Sequence, residues 1–213
     1  MSSIDLTQVI IAFLVLLVSL SVHEAAHAWT AARLGDPTAR QLGRVSLNPA
    51  VHVDPIGTIL FPLIAIMTNL PVIGWAKPVP VNLHRLRRGR RDFLLVAAAG
   101  PASNLALAVL ASVAWGALVS AGAAGPEAAA PIAVLMFVHF LLRINVILAV
   151  FNMIPIPPLD GGNVLAGLLP EPLAVQFDRL RPWGFLLLYA LMLTGVLWMI
   201  IGPPMRFIES WLR

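Results

Sequence analysis

The pentapeptide HEAAH, residues 23–27, lies inside an apolar run that extends over residues 7–32. A helix needs about 20 apolar residues to cross the hydrocarbon core of a bilayer, so this run is long enough to span it. Ionisable side chains are costly at that depth and usually occur where they serve a function. The two histidines and the glutamate therefore constrain both the fold and the activity of this chain.

On an α-helix, His23 and His27 project from one face, one turn apart, and Glu24 is displaced by about 100°. Two imidazoles in this arrangement can hold one metal ion while the glutamate serves as general base, which is the chemistry of the H-E-x-x-H motif. The alternative is a polar packing face whose histidines bond to neighbouring helices. The metal site is the favoured interpretation because the motif lies within a predicted membrane span.

The rest of the chain is equally apolar. Hydrophobic residues make up 59% of it and charged residues only 11%, which excludes a soluble globular domain. The other runs that approach the length of a span are residues 56–75, 93–121, 131–153 and 183–202. The sequence therefore predicts an all-α polytopic membrane protein, a single domain over residues 1–213 with about four to five transmembrane helices.

A catalytic zinc site usually has three protein ligands, so a further ligand is required. Asp160 stands apart from the other acidic residues because it follows the fourth apolar run, in FNMIPIPPLDGG at residues 151–162. Three prolines break the helix there, and the pair Gly161 and Gly162 is expected to permit tight turns. Non-helical backbone at membrane depth is tolerated where it lines a polar cavity. The alternative role for Asp160 is to cap the next short helix.

With these motifs in place, the chain resembles the site-2 protease family of intramembrane zinc metalloproteases. The resemblance rests on HEAAH in the first span and NMIPIPPLDG after the fourth, with support from GPASN at residues 100–104. It covers most of the chain and indicates a minimal form without a PDZ or CBS domain. It implies hydrolysis of peptide bonds in or near transmembrane segments of membrane-protein substrates, as in regulated intramembrane proteolysis.

The resemblance also implies a role for each matching residue. The expected Zn²⁺ ligands are His23, His27 and Asp160, the expected catalytic base is Glu24, and the expected catalytic polar group near the scissile peptide is Asn152. Asn104 matches the asparagine of the family's G-P-x-x-N pattern and is expected in helix packing close to the site. His52 has two open roles, an auxiliary ligand or substrate contact and, favoured by its position at a span boundary, an interfacial side chain.

A shared metal ion requires the C-terminal ends of the first and fourth runs to lie on the same side of the membrane. One of the runs between them must then fail to cross. Residues 56–75 have basic flanks at 33–44 and 77–91, and the positive-inside rule places both flanks in the cytoplasm. The sequence therefore predicts a membrane-re-entrant β or extended element, paired with the strand-like GRVSLN at residues 43–48. The alternative is a short ordinary helix with the basic loop outside. Asp54 as a cap followed by Pro55 is a good helix start and supports it.

The site-2 protease family has such an element beside its active site, so the resemblance implies that it holds the substrate as an added strand. The charge pattern predicts the cytoplasmic membrane as the location, with the active site toward the cytoplasmic side. The expected partners are a transmembrane substrate and the lipid bilayer, not nucleic acid, and the oligomeric state is open. The alternative function is a zinc-binding membrane transporter. One compact ligand set with Glu24 beside it favours the protease.

Overall fold

The computed structural model describes residues 6–61, 64, 74–123 and 131–212, and the regular elements among these residues are all helices. Three helices in this part of the chain are long and apolar enough to cross a membrane: α1 (Leu6–Arg33), α3 (Arg90–Ser120) and α4 (Ile132–Asn152). A short helix α2 (Thr38–Gln41) follows α1. The C-terminal helices are α5 (Asp160–Leu168), α6 (Glu171–Asp178), α7 (Gly184–Leu193) and α8 (Val196–Leu212).

The helices α1 and α3 run in opposite directions. His27, near the end of α1, contacts Val96, near the start of α3. Ser19, earlier in α1, contacts Asn104, later in α3. Small buried residues allow this close approach, as is common between membrane helices; they are Ser19, Ala28 and Ala31 in α1 and Ala97, Gly100, Ala108 and Ala111 in α3.

The helices α3 and α4 are antiparallel as well. Asn104 is bonded to Asn145, and the later α3 residue Ala111 shares a buried apolar cluster with the earlier α4 residue Val138. Since α3 is antiparallel to both neighbours, α1 and α4 run in the same direction. Their C-terminal ends therefore lie on the same side of the bundle. A metal ion shared by the first and fourth apolar runs requires this arrangement.

The connection between α1 and α3 leaves and returns at one end of the bundle. The Arg87 amide donates to the Leu34 carbonyl at 3.1 Å, and the Asn82 amide donates to the Asp36 carboxylate at 2.6 Å. Burial alone would raise the pKa of Asp36, but the hydrogen bonds from Thr38 and Asn82 outweigh it and lower that pKa. The end of α1 and the approach to α3 are thus bonded to each other.

The predicted β-element is not found within the described residues. Residues 43–48 form a turn and irregular backbone, and two prolines, which cannot donate to a strand ladder, instead start helical turns at Pro49–Val51 and Pro55–Leu60. Asp54 caps the second turn by accepting from the amides of Ile56 and Gly57. The helical start at Asp54 and Pro55, which supported the alternative of a short helix, is observed here. Residues 62, 63 and 65–73 of the predicted run lie outside the described residues.

The return segment at residues 74–82 is neither helix nor strand. The Trp75 amide donates to the Gly57 carbonyl at 3.2 Å, and the Lys77 amide donates to the His52 carbonyl at 2.8 Å. The Thr58 hydroxyl donates to the Trp75 carbonyl at 2.9 Å. Residues 75–77 are therefore held against residues 52–58 by isolated hydrogen bonds instead of the regular ladder of a β-sheet.

The predicted span at residues 183–202 is divided between α7 and α8. Gly195 has φ of 77°, a left-handed conformation that suits glycine and ends α7, with its amide bonded to Met192 at 3.1 Å. The chain bends by 82° between the segments Glu171–Leu193 and Val196–Leu212. The described residues therefore contain three candidate spans, or four if this bent pair forms one. In α8, Glu209 lies 3.9 Å from Arg143 of α4.

Candidate metal centre

The three residues predicted as metal ligands lie together at the end of the bundle. His23 Nε2 and His27 Nε2 are 3.0 Å apart, and Asp160 Oδ2 lies 3.1 Å from the first and 3.4 Å from the second. Ligand atoms about 2.0–2.1 Å from a tetrahedral ion are separated from one another by about 3.3–3.4 Å. The triangle therefore has the size of one face of a tetrahedral metal site.

The charges and hydrogen bonds at this triangle also fit a cation. Asp160 Oδ2 is buried and has no hydrogen-bond partner among the described residues, and a buried carboxylate oxygen without a partner is costly. Two imidazole nitrogens and one carboxylate oxygen are a donor set that suits zinc. A metal ion would satisfy the carboxylate and both histidines at once.

The tautomers of the histidines are suited to metal binding. His27 Nδ1 lies 2.7 Å from the Val96 carbonyl, which can only accept, so Nδ1 carries the proton. His23 Nδ1 lies 2.6 Å from Asn104 Oδ1 and donates to it. In its neutral form each ring therefore presents an unprotonated Nε2 to the triangle, which is the state that a metal ligand requires.

Gly100 of α3 lies directly against the two imidazoles. A Cβ atom at this position would be 2.6 Å from His23 Nε2 and still closer to His27 Nε2. Any side chain here would displace the rings, so the backbone of α3 approaches α1 closely only because this residue is glycine. The GPASN motif thus combines a glycine that makes room for the ligands with Asn104, one turn later, which bonds to His23.

Asp160 is the first residue of α5, and the predicted capping role is not observed. The cap position is Leu159, without a side-chain cap bond, and the Asp160 carboxylate is directed at the histidines. Gly161 and Gly162 lie in the first turn of α5 and do not form the expected tight turn. A Cβ on Gly161 would lie 2.5 Å from the Ile154 carbonyl oxygen. The glycine pair permits close packing of α5 against the preceding proline-rich loop.

The two residues predicted for catalysis lie on α1 and at the end of α4. Glu24 follows His23 on α1 and is partly buried. Asn152 is the last residue of α4, and its side-chain amide donates to the Leu148 carbonyl at 3.0 Å. The catalytic roles of Glu24 and Asn152 stay predictions.

His52 is not part of the ligand triangle. It is buried, with 2% exposure, so it is not an interfacial side chain. Its Nε2 donates to the Ser46 carbonyl at 2.8 Å. A small cavity between α1 and the connection is lined by His52, Ser21 and Thr58.

Two polar residues near the site were missed from the sequence. Asn145 of α4 and Ser19 of α1 are fully buried, and their side chains are joined by a hydrogen bond of 2.9 Å. A signal for Asn145 was present, because an amide in the middle of the apolar run at residues 131–153 needs a buried partner. Serine is common in membrane helices, so Ser19 carried no comparable signal.

Comparison with known proteins places this chain among metallopeptidases. The profile of Peptidase family M50 matches residues 115–193. The chain is 36% identical over 193 residues to YwhC of Bacillus subtilis (strain 168), which is named as an inferred zinc metalloprotease. The matched region covers 90% of this chain and 84% of YwhC. It is 32% identical over 186 residues to Rip2 of Mycolicibacterium smegmatis, named likewise, covering 85% of this chain and 66% of Rip2. No solved structure matches.

Proposed function

Since this chain belongs to peptidase family M50, the site-2 protease family, and is a zinc metalloprotease, we propose that its substrates are membrane proteins. It cleaves them in or near their transmembrane segments, as in regulated intramembrane proteolysis. The observation that carries the proposal is the position of the ligand triangle. Two of its members belong to α1, which is long and apolar enough to span a membrane, and both are buried against α3. A substrate within the bilayer is best placed to reach such a site.

In this proposal His23, His27 and Asp160 hold the zinc ion. The ion supplies Lewis acidity, which acidifies water and polarises a peptide carbonyl. Glu24 accepts a proton from the attacking water as the water oxygen bonds to the carbonyl carbon. The same residue then gives a proton to the peptide nitrogen as the carbon–nitrogen bond breaks. Asn152, next to the loop that carries Asp160, contacts the substrate backbone.

A helical substrate must unwind before it is cut, because its carbonyl groups are bonded within the helix. We propose that the connection between α1 and α3 receives the unwound segment as an added strand. The irregular backbone at residues 74–82 supports this use, since backbone outside helices retains groups that can pair with a substrate.

Loss of the Asp160 carboxylate is expected to remove zinc and activity together. Asp160→Ala leaves two histidines, which are fewer protein ligands than a catalytic zinc site usually has. The zinc content of the purified variant, measured by mass spectrometry of the metal, should fall well below the wild-type value. An Asp178→Ala variant, altered at a surface acid of α6 that pairs with Arg90, should keep its zinc. Full zinc content and turnover in Asp160→Ala would contradict the assignment.

The proposed location is the cytoplasmic membrane, with the site toward the cytoplasm and residues 56–75 re-entrant. The hydrogen bonds between residues 34–36 and 82–87 support this topology. Cysteines introduced at Arg40 and Arg88 in this cysteine-free chain should both react with an impermeant thiol reagent from the cytoplasmic face and neither from outside. Because Arg88 pairs with Asp92, exposed Arg91 provides a second probe. Labelling from opposite faces would contradict re-entry.

The function itself is tested by sequencing peptide termini in membranes from cells that contain wild-type protein or Glu24→Gln. The proposal expects new termini inside or beside transmembrane segments only with the wild type. Termini confined to soluble domains would overturn it. The transporter alternative predicts instead that proteoliposomes take up zinc, and that Glu24→Gln leaves the membrane proteome unchanged.

A further inference from the structure

A hydrogen-bonded chain of amides extends from the triangle into the middle of the bundle. His23 Nδ1 donates to Asn104 Oδ1, and Asn104 Nδ2 donates to Asn145 Oδ1 at 2.7 Å. Asn145 Nδ2 in turn donates to Ser19 Oγ at 2.9 Å and to the Leu141 carbonyl at 2.8 Å. The two asparagines and Ser19 are fully buried, so water does not replace these partners.

The direction of every hydrogen bond in this series of side chains is fixed from the end that lies farthest from the triangle, at Asn145. The Leu141 carbonyl can only accept, so Asn145 must point its NH₂ group toward it and its oxygen toward Asn104. Asn104 must then direct its own NH₂ group at Asn145 and at the Ser19 carbonyl, 3.4 Å away. The oxygen of Asn104 is left facing His23, and an oxygen there accepts a proton only from Nδ1.

From this order we infer that Asn145 is a positioning residue for the metal centre: through Asn104, it holds His23 in the tautomer whose Nε2 binds zinc. The inference rests on the proposed role of His23 as a ligand. Without Asn145, the NH₂ group of Asn104 loses its nearer acceptor at 2.7 Å and keeps only the Ser19 carbonyl at 3.4 Å, so its amide can reverse more readily. A reversed amide would present NH₂ to His23 and favour protonation of Nε2, which opposes metal binding.

The test measures zinc affinity of purified protein in detergent by competition with a chromogenic chelator. Residues that orient a metal-bound histidine typically change affinity 10–100-fold, and an effect relayed through Asn104 is expected near the lower end, about tenfold. Asn145→Leu should show this loss. Asn145→Asp keeps an oxygen facing Asn104 and should bind zinc more tightly than Asn145→Leu.

Val146→Ala is the matched control. Val146 is the next residue of α4, is fully buried and belongs to an apolar cluster, so its truncation tests packing alone. It should lower the thermal stability while leaving zinc affinity at the wild-type value. Cobalt-substituted protein adds a second readout, since the visible absorption of Co²⁺ should change in Asn145→Leu and not in Val146→Ala.

Two outcomes overturn the inference: wild-type zinc affinity in folded Asn145→Leu, or equal losses in Asn145→Asp and Asn145→Leu. If Asn145→Leu does not fold, the zinc affinity of Asn145→Asp is compared with that of the wild type. A loss of zinc affinity of about tenfold or more in Asn145→Asp then contradicts the inference. A His23→Ala variant separates failure of the underlying proposal. If it binds zinc as the wild type does, His23 is not a ligand and the proposed metal site fails on its own account.

Discussion

Glu24→Gln is expected to bind zinc as the wild type does while its peptide cleavage falls by at least about 10²–10⁴-fold, the usual contribution of a general base. Glutamine keeps the shape of the side chain but cannot accept the proton of the attacking water. The three ligand atoms are unchanged by the substitution, so zinc content should be retained. Zinc content and cleavage of a reconstituted membrane substrate, measured on the same preparation, check both parts.

The matched control is Glu171→Gln on α6, where the glutamate side chain is 71% exposed. It removes the same charge at the surface and should leave cleavage unaffected. Wild-type cleavage by folded Glu24→Gln would contradict the role of this residue as base. Loss of zinc along with activity would indicate that Glu24 helps to form the metal site.

Gly100→Ala is expected to abolish both zinc binding and activity, although it adds only one methyl group. That methyl would lie 2.6 Å from His23 Nε2 and closer to His27 Nε2, so both imidazoles or the whole of α3 must move. Displacement of two ligands at once leaves too few in place for a stable site. Zinc stoichiometry and thermal unfolding in detergent, with and without added zinc, provide the measurement.

Gly116→Ala is the control for this effect. Gly116 belongs to the same helix, and a Cβ there meets nothing within 4 Å. Because alanine is a better helix former than glycine by about 1 kcal/mol, neither substitution weakens the helix by itself. A difference between the two variants therefore isolates the contact with the histidines. Equal zinc binding by Gly100→Ala and Gly116→Ala would show that α3 does not approach the ligands this closely.

The members of the triangle could be predicted because each carries a local signal in the sequence. Helical spacing places His23 and His27 on one face, and the broken backbone around Asp160 marks a polar site in an apolar region. The packing around the triangle was less accessible. Gly100 appeared only as part of a motif, and its contact with the imidazoles depends on how closely α3 approaches α1, which residue spacing within one helix does not specify.

The errors in the fold have related causes. The alternation in GRVSLN favours a strand, but a strand needs a partner, and Pro49 and Pro55 start helical turns instead. The run at residues 183–202 has uniform hydropathy, and the left-handed conformation of Gly195 divides it. Asn145 was missed because its partner Ser19 lies on another helix, so the pair exists only after the bundle has formed.

Asp160 follows His23 and His27 by roughly 130 residues, and this order has a consequence for synthesis. His23 and His27 leave the ribosome with the first helix, whereas Asp160 follows only after α3 and α4. At about 5–20 residues per second, roughly 7 to 27 seconds separate the two events. During that interval the proposed site has only two of its three ligands, fewer than a catalytic zinc site usually has, so we expect the nascent chain to be inert beside other newly inserted membrane proteins.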